Sequence, residues 1–445
     1  MLTVAYLANQ FPTEVEPYVG EEIKELRRRG VKVIPGSVRK PDAGLHGPTG
    51  VESESEVLCL QPLRMLILLR ALGLATWRWK RIAPLVKRVL LSGKESPQRR
   101  MKALLHTWLG AYYAVLLQKR GVDHIRVHHG YFGSWIAMVA ARLLGIDFSL
   151  TLHGSDLLID GAYLDMKLEN CQFCITISDY NRRYILEHFP GINPRKIIVS
   201  RLGVDDVVSA ESAVRICKSE RPLTLLAVGR LHAVKDHAFL VRACARLREG
   251  GLDFQCLIAG EGPERRRLES LIRQNQLEDR ITLLGHAGRA ELDALYERAD
   301  AVVLTSRSEG IPLVLMEAMI RSRLVLAPAI TGIPEVVIPG KTGFLYAPGA
   351  LEDFVARIFF LDLLMRSEDR CAVSRLDWIR HAARLQVLRN FSRRKNLTRF
   401  AERFLQLVAD SRCAAHDSTP KNFAMQDFAT QDWSPPHEDT VLQQI

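Results

Sequence analysis

The stretch TSRSEGIPLVLMEAMI, residues 305–320, places a short polar loop between the apolar run AVVL and a longer apolar run. This order predicts a strand that ends at the loop and a helix that begins near Pro312. Because the first backbone N–H groups of a helix have no partner inside it, the loop would face a binding site for an anion such as phosphate. Glu309 would lie at the mouth of this helix and Glu317 on its wall. An ordinary loop–helix junction with two solvated carboxylates would give the same local pattern.

Strand-like segments alternate with helix-like segments on both sides of this stretch. The alternation predicts an α/β protein in which helices cover both faces of parallel sheets. The predicted units are a first domain at 1–208, a linker at 209–221, a second domain at 222–375, helices at 376–412 and a tail at 413–445. We predict one continuous helix over LQVLRNFSRRKNLTRFAERFLQLVAD, residues 385–410. The tail is rich in Asp, Gln, Ser, Thr and Pro and is expected to be disordered.

The composition is that of a globular protein, with 47% hydrophobic and 25% charged residues among 445. A chain of this length exceeds one ordinary domain. The N-terminal MLTVAYLANQF has no basic region before its apolar residues and is typical of a buried strand, so we expect no signal peptide. Since no uncharged apolar run approaches about 20 residues, we expect a cytoplasmic protein, or one held peripherally on the inner face of the plasma membrane.

Eight cysteines are scattered along the chain without the paired spacings of a zinc site. Cys171 and Cys174 form one CxxC pattern. A thiol redox pair would open a helix after a strand, whereas this pattern runs into a β-rich segment. We therefore favour plain burial of both side chains over redox chemistry.

Basic residues are concentrated at 61–120, which we call the basic segment. It carries 13 Lys and Arg against the single acid Glu95, together with many leucines and tryptophans. Such a segment can lie in the interface of an anionic membrane. Amphipathic helices that pack on the first domain and expose a solvated basic face would also explain it. We expect no nucleic acid partner.

Glycines and polar residues recur where the predicted strands of the second domain end. They are Gly229 and Arg230, Gly260 and Glu261, Gly285 and His286, residues 306–310 and residues 331–335. Ligands in such folds bind at the carboxyl ends of the strands. In VGRLHAVKDH, Arg230 follows a strand and Lys235 precedes the next helix, so the two cations could neutralise a bound diphosphate.

Histidines mark the corresponding edge of the first domain. SLTLHGSDL ends a predicted strand with His153, Gly154 and Asp156, where an acid, base or hydrogen-bond donor could act. His128 and His129 end another strand. They could suggest a metal site, but no third ligand stands at a matching spacing, so we favour structural or acceptor-pocket roles.

Several of these segments resemble the successive signatures of family 4 retaining glycosyltransferases of the GT-B type. They are GRLHAVKDH (229–237), IAGEGPERRRLE (258–269), ITLLGH (281–286), ADAVVLTSRSEGIPLVLMEAMI (299–320) and TGIPEVVIPGKTGFLY (331–346). Two segments of the first half, 6–33 and 124–156, resemble the branch that builds bacterial exopolysaccharides, including colanic-acid-type enzymes. The resemblance extends to about Asp410.

The resemblance implies two Rossmann-like parallel-sheet domains that face each other across a cleft, with a C-terminal helix that crosses back to the first domain. The first domain would lie on the acceptor side and the second would bind a nucleotide-sugar donor. Arg230 and Lys235 would hold the donor diphosphate, Glu309 the sugar hydroxyls, and His153 would lie beside the transferred sugar. The implied donor contacts are Gly229, Glu261, His286, Gly310, Ile311, Pro312, Leu313 and Glu317, with Glu317 on the ribose. Asp236 departs from the family, which usually has glycine there, so a helix cap is expected instead.

The expected function is therefore transfer of a sugar, with retention, from a nucleotide diphosphate to a hydroxyl of a glycan or lipid-linked glycan. The donor is a co-substrate, and we expect no cofactor and no metal, since no Asp-x-Asp element stands in a plausible position. Two alternatives remain open at this point. One is a sugar-nucleotide epimerase of similar build, and the other is a non-catalytic sugar-nucleotide sensor.

Overall fold

The computed structural model describes residues 1–13, 16–40, 57–93, 95–159, 161–206 and 221–416. It contains two parallel sheets, both within the compact unit Met1–Phe404. The predicted alternation of strands and helices and the α/β class are confirmed. The predicted linker and tail lie almost wholly outside the described residues.

The first sheet is built from strands β1 Thr3–Gln10, β2 Lys32–Ile34, β3 Gly36–Arg39, β4 Leu58–Cys59, β5 His124–His128, β6 Asp147–Leu152, β7 Phe173–Thr176 and β8 Ile197–Val199. Their order is β4-β3-β1-β5-β6-β7-β8, with β2 also paired to β1, and every pair is parallel. All five residues of β5 are buried, as expected for a central strand covered on both faces. The carboxyl ends of β5 and β6 bring His128 and His153 to the same edge.

The helices of the first sheet are α1 Pro17–Arg28, α2 Met65–Trp77, α3 Trp79–Leu91, α4 Pro97–Leu117, α5 Phe132–Leu144, α6 Ser155–Leu158, α7 Leu164–Asn170 and α8 Asp179–His188. The basic segment forms α2, α3 and α4. Helix α4 packs closely on α5 at Gly110, where an added Cβ would lie 2.6 Å from the Cβ of Val139. Among the described helices, none is long and apolar enough to cross a membrane.

The second sheet contains strands β9 Leu223–Val228, β10 Phe254–Ala259, β11 Ile281–Gly285, β12 Ala301–Val303, β13 Leu324–Pro328 and β14 Phe344–Tyr346. They are parallel in the order β11-β10-β9-β12-β13-β14. Its helices are α9 His237–Glu249, α10 Arg265–Gln274, α11 Arg289–Arg298, α12 Leu313–Ile320, α13 Ile333–Val336 and α14 Leu351–Arg366. Helix α12 begins one residue after Pro312, as predicted.

The predicted continuous helix over 385–410 is wrong. The chain forms α15, Arg370–Asn390, and α16, Arg393–His416, with a break at Phe391 and Ser392. At the break, the Phe391 carbonyl accepts from Val204 N and Arg393 N donates to the Val204 carbonyl, both at 2.9 Å, so these groups leave the helical ladder. Beyond it, α16 packs Phe400 and Phe404 over the guanidinium of Arg126 in β5, at 5.3 and 5.8 Å.

Cys171 and Cys174 are buried free thiols, which confirms the predicted burial. Burial raises the pKa of Cys171 to about 12 and that of Cys174 well above its usual value. Neither thiol is ionised near neutral pH, so neither has the thiolate character that redox chemistry requires.

Candidate active site

Lys235 and Glu309 form an ion pair at the carboxyl edge of the second sheet. Lys235 Nζ lies 2.6 Å from Glu309 Oε1, and the two side chains are 19% and 11% exposed. The Lys235 carbonyl accepts from Thr305 Oγ1 at 2.9 Å, which ties the turn after β9 to the loop after β12. This partial burial keeps the pair from being fully hydrated, so its charges interact more strongly than those of a surface pair.

Asp236 supplies the cap predicted from its departure from glycine. Its φ of +46° lies in the left-handed region, which glycine favours and aspartate tolerates. Its Oδ1 accepts from Phe239 N at 3.3 Å at the start of α9, and its Oδ2 accepts from Arg307 Nε at 2.7 Å. The aspartate therefore keeps the turn that positions Lys235 and adds a helix cap.

Glu309 is fixed at the N-terminus of α12. Its backbone carbonyl accepts from Thr331 Oγ1 at 2.6 Å. Ile311 is buried and Pro312 is the N-cap residue in an extended conformation, so the helix begins at Leu313, a short step along the chain from Gly310. One carboxylate, one ammonium group and one helix N-terminus thus lie at the same loop.

The rims of the two sheets meet at Gly154 and Gly310. An added Cβ on Gly154 would lie 3.0 Å from Gly310 N, and one on Gly310 would overlap the carbonyl oxygen of His153. A second contact between the rims involves Glu335, whose carboxylate accepts from Asp179 N at 3.1 Å and Tyr180 N at 2.7 Å at the start of α8. These contacts bring His153 to the same place as the Glu309 loop.

Asp156 and His129 form a buried charged cluster behind His153. Asp156 accepts from the backbone N–H groups of Gly130 and Gly154, both at 2.8 Å. His129 lies 2.9 Å from Glu16 and 3.6 Å from Asp156. Burial lowers the pKa of His129, but the two carboxylates outweigh it and raise the pKa to about 9. His129 is therefore an imidazolium at neutral pH.

His128 connects His153 to the core. His128 Nδ1 lies 3.1 Å from His153 Nε2, and His128 Nε2 lies 3.1 Å from Glu22 Oε2. Burial lowers the pKa of His128, and burial together with the charge of His129 lowers that of His153 well below its usual value. Burial alone would raise the pKa of Glu22, but His128 and Arg126 reverse this, and the net shift is downward.

Four members of this cluster were missed in the sequence: Glu16, Tyr18, Glu22 and Arg126. Tyr18 stacks on His153 with ring centroids 4.6 Å apart. A signal for Glu22 existed, since it lies on the buried face of α1 with Val19, Ile23 and Leu26. Arg126 is a charged residue inside a fully buried strand, which equally demands a partner.

The remaining predicted donor contacts lie at the same edge of the second sheet but have other neighbours. Glu317 Oε2 accepts from the Tyr296 hydroxyl at 2.8 Å, and Glu261 pairs with Arg265 at 2.5 Å. Arg230 and His286 are exposed, and Leu313 is half-buried as the first residue of α12. Gly260 has a φ of +149°, and an added Cβ there would overlap the Gly229 carbonyl, so the loops after β9 and β10 touch through glycine.

No group of three His, Cys, Asp or Glu side chains within the described ranges is arranged to hold a metal ion. The chemistry visible at the rims is thus a paired lysine and glutamate, a helix N-terminus, an exposed arginine and a neutral histidine. This set suits a ligand that carries both negative charge and hydroxyl groups.

Two family models match the chain. Glycosyltransferase Family 4 matches residues 15–207, and Glycosyl transferases group 1 matches residues 211–372. The protein named WcaL, a glycosyltransferase of colanic acid biosynthesis in Salmonella typhimurium, is 37% identical over 38% of this chain and 42% of its own length. AmsK, the amylovoran biosynthesis glycosyltransferase of Erwinia amylovora, is 30% identical over 37% of this chain and 42% of its own. The chain thus matches less than half the length of each of these relatives.

Solved structures with the same fold cover nearly the whole chain. A glycosyltransferase from Rickettsia africae has a TM-score of 0.66 and 20% identity, covering 92% of this chain and 98% of its own. HepE from Anabaena, solved in complex with UDP, has a TM-score of 0.63 and 18% identity, covering 91% and 100%. At these identities the likeness establishes the GT-B fold alone. The two family models, which together account for residues 15–207 and 211–372, show that this chain belongs to the glycosyltransferases.

Proposed function

We propose that the chain is a retaining glycosyltransferase that moves a sugar from a nucleotide diphosphate to a hydroxyl of a glycan or lipid-linked glycan. The observation that carries this proposal is the Lys235–Glu309 pair at the N-terminus of α12, directly against the His153 rim. We place the reaction in bacterial exopolysaccharide or cell-surface polysaccharide synthesis, on the cytoplasmic side. The names of WcaL and AmsK support the assignment to exopolysaccharide synthesis.

The two members of the pair have complementary tasks toward such a donor. A diphosphate offers anionic oxygens to Lys235, to the exposed Arg230 and to the first amides of α12, while sugar hydroxyls offer donors to Glu309. Lys235 and Glu309 therefore exchange their mutual contact for contacts with the ligand when the donor binds. The same cations would stabilise the leaving diphosphate as its charge develops, without a divalent metal.

Several further roles belong to the proposal. Glu317, held by Tyr296, would present its second oxygen to the ribose, and the loops at Glu261 and His286 would flank the base. The buried cluster of His128, His129 and Asp156 would support the acceptor side from behind His153. The nucleotide in the HepE complex, UDP, supports uridine sugars as the first donors to test.

A panel of nucleotide sugars tests the proposal through protection against thermal unfolding. A ligand that binds only the folded state stabilises it by about 2.7 kcal/mol at 100 times its Kd. Product mass then distinguishes the candidates: sugar transfer or hydrolysis supports a transferase, an epimerised nucleotide sugar supports an epimerase, and binding without turnover supports a sensor. If no nucleotide sugar or nucleoside diphosphate protects the protein, the proposed donor site is wrong.

We also propose that the basic segment lies on an anionic membrane. On α2, Met65, Leu66, Leu69 and Leu72 are 72%, 61%, 60% and 53% exposed, whereas Ala71 and Leu74 face the core. Helix α4 adds a second exposed stripe with the spacing of one helix face, formed by Met101, Leu105 and Trp108. Exposed apolar rows of this extent are unusual in water and suit the headgroup boundary of a bilayer.

The basic segment also carries cations on α2, α3 and α4, but not all of them are available to lipid. Arg78 donates to the Leu143 carbonyl, Arg81 to the Arg142 carbonyl, and Arg88 pairs with Glu95 and Asp165, so these three belong to the packing of the domain. Arg70, Lys80, Lys87 and Lys102 are exposed. They provide the positive charge that an anionic surface would attract, at about 1 kcal/mol each near the surface.

Vesicle sedimentation tests the membrane proposal. Vesicles with anionic lipid should sediment the protein, raised salt should weaken binding, and Leu66→Ser with Leu69→Ser should abolish it. Leu363→Ser with Trp378→Ser is the matched control, because both residues are similarly exposed, at 67% and 53%, on α14 and α15, outside the basic segment. Equal binding by the two double variants, or equally poor binding of wild type to neutral and anionic vesicles at low salt, would contradict it.

A further inference from the structure

Glu22, His128 and His153 form a continuous line of hydrogen-bonding groups from the core of the first sheet to the rim. The two links are each 3.1 Å long. His128 is 1% exposed and Glu22 is 7% exposed, whereas His153 is half-buried at the end of β6. Only the last member of the line is therefore placed to meet a ligand.

The inner end of the line is a carboxylate, because its neighbours require one. Glu22 Oε2 accepts from the Tyr6 hydroxyl at 3.2 Å and lies 3.5 Å from Arg126 Nη2. Arg126 is fully buried, and its Nε and Nη1 atoms have no hydrogen-bond partner within the described residues. A protonated Glu22 would leave this buried guanidinium without a countercharge, which is strongly unfavourable.

The positions of the protons follow along the line. A carboxylate only accepts hydrogen bonds, so His128 Nε2 must carry the proton that faces Glu22. His128 is buried and Glu22 already serves as the countercharge of Arg126, so a second positive charge on His128 is disfavoured. The neutral ring has a lone pair on Nδ1, and His153 Nε2 donates to it. A neutral His153 is left with its lone pair on Nδ1.

A positive charge on His153 is disfavoured by the groups that surround its ring. The His129 imidazolium lies with its ring centroid 4.5 Å away, and Arg126 adds a further positive charge. Tyr18 covers the ring at 4.6 Å, and Asp156 contacts only the His153 backbone N–H, at 3.0 Å. Glu16 and Asp156 are already engaged by His129, so neither offers His153 a free countercharge.

We propose that Glu22 and His128 are positioning residues that hold His153 in the neutral tautomer protonated at Nε2, so that Nδ1 is its available hydrogen-bond acceptor. Under the proposed function, on which this last identification rests, the group that donates to Nδ1 is a hydroxyl of the sugar. The line therefore selects a ligand that donates a hydrogen bond at this point over one that only accepts. The tautomer itself is a property of the free protein and requires no substrate.

Nitrogen-15 NMR of the full chain labelled at histidine reads the tautomer directly. The His153 signals are assigned by their absence in His153→Gln. Between pH 6 and pH 8, wild-type His153 should show a protonated Nε2 and an unprotonated Nδ1. In His128→Phe the acceptor is lost, and His153 should become a mixture of tautomers. His128→Asn, whose Oδ1 can take the place of Nδ1, should restore the wild-type pattern.

The matched control is His124→Phe. His124 is buried on the same strand, but its Nε2 bonds to Ser149 Oγ at 2.9 Å and takes no part in the line. This variant should leave the His153 signals unchanged. Protonation of wild-type His153 at Nδ1, or a folded His128→Phe with unchanged His153 signals, overturns the proposal. If His128→Phe fails to fold, the wild-type tautomer and His128→Asn still decide it.

The outcome is independent of the donor panel. Observation of the other His153 tautomer would contradict this inference but not the proposed sugar transfer. If no nucleotide sugar binds, the proposed function fails, but the tautomer of the free protein can still be measured. Where transfer is measurable, His128→Phe should lower kcat more than His124→Phe does, and His128→Asn should recover part of the loss.

Discussion

Replacing Glu309 with glutamine should raise the affinity for a nucleoside diphosphate and, at the same time, lower turnover of the nucleotide sugar. In the free protein, Glu309 Oε1 lies 2.6 Å from Lys235 Nζ in a largely buried pair. A phosphate must compete with this carboxylate for the ammonium group. Glutamine keeps the shape of the side chain but removes the competing charge.

The expected changes in diphosphate affinity and in turnover follow from the energy of the Lys235–Glu309 contact. A hydrogen bond between charged groups contributes about 1.5–3 kcal/mol, and releasing part of it should tighten diphosphate binding by about 1–2 kcal/mol, or about 5- to 30-fold. Turnover loses the charged contact with the sugar hydroxyl, worth about the same 1.5–3 kcal/mol, so it should fall by about 10- to 150-fold. Folding stability should change far less than turnover.

Titration calorimetry with UDP and other nucleoside diphosphates measures the first effect, and turnover of a donor that the wild type uses measures the second. Lys235→Ala is the reference, because it should weaken diphosphate binding by about 1–3 kcal/mol. Binding of the uncharged nucleoside should be the same in all three proteins. If Glu309→Gln weakens the diphosphate as much as Lys235→Ala does, the two residues act as a structural unit and the reasoning fails.

Three other results are expected. In Gly310→Ala, the added methyl group should overpack the rim at a cost of about 1–3 kcal/mol, and turnover should fall. Gly288→Ala is the reference, because an added Cβ there meets nothing within 4 Å. Equal activities of the two variants would show that the rims separate freely. His129 has a pKa of about 9 in the folded protein and about 6.5 in the unfolded chain. Its contribution to the free energy of unfolding is therefore complete below about pH 6.5 and is lost as the pH rises through about 9. Urea unfolding should show this decline in the wild type and a flatter pH profile in His129→Asn. Turnover should survive a chelator, and loss of activity that Mg²⁺ or Mn²⁺ restores would contradict the metal-free mechanism.

The sheet edges were predictable because a parallel sheet brings the carboxyl ends of its strands together. The loops at Lys235 and Glu309 follow apolar runs of the second sheet and the loop at His153 follows one of the first, so each loop could be assigned to the carboxyl edge of its own sheet without knowing any contact. The Asp236 cap was predictable for a similar reason, since a short polar side chain before a helix has few other uses.

Contacts that join distant parts of the chain were not predictable in this way. The break between α15 and α16 depends on Val204, nearly 190 residues earlier, which takes the backbone groups of Phe391 and Arg393. The partner of Glu317 is a tyrosine on α11, and no spacing in the sequence relates them. The line from Glu22 to His153 combines α1, β5 and β6, so it emerges only when β1 pairs with β5 and β5 with β6.

The paired glycines at 154 and 310 also bear on how such chains can be recombined. Each glycine is needed because the backbone of the other half comes too near for a side chain. The need for glycine at both positions therefore links two halves of the chain that a hybrid protein can take from different sources. Such a hybrid joins the first half of one glycosyltransferase to the second half of another at 207–220. A hybrid that inherits a bulkier residue on either side should fold each half correctly and still hold its rims apart. The residues at positions 154 and 310 of the two parent sequences can thus be compared before any hybrid is made, to reject pairs of halves whose rims would clash.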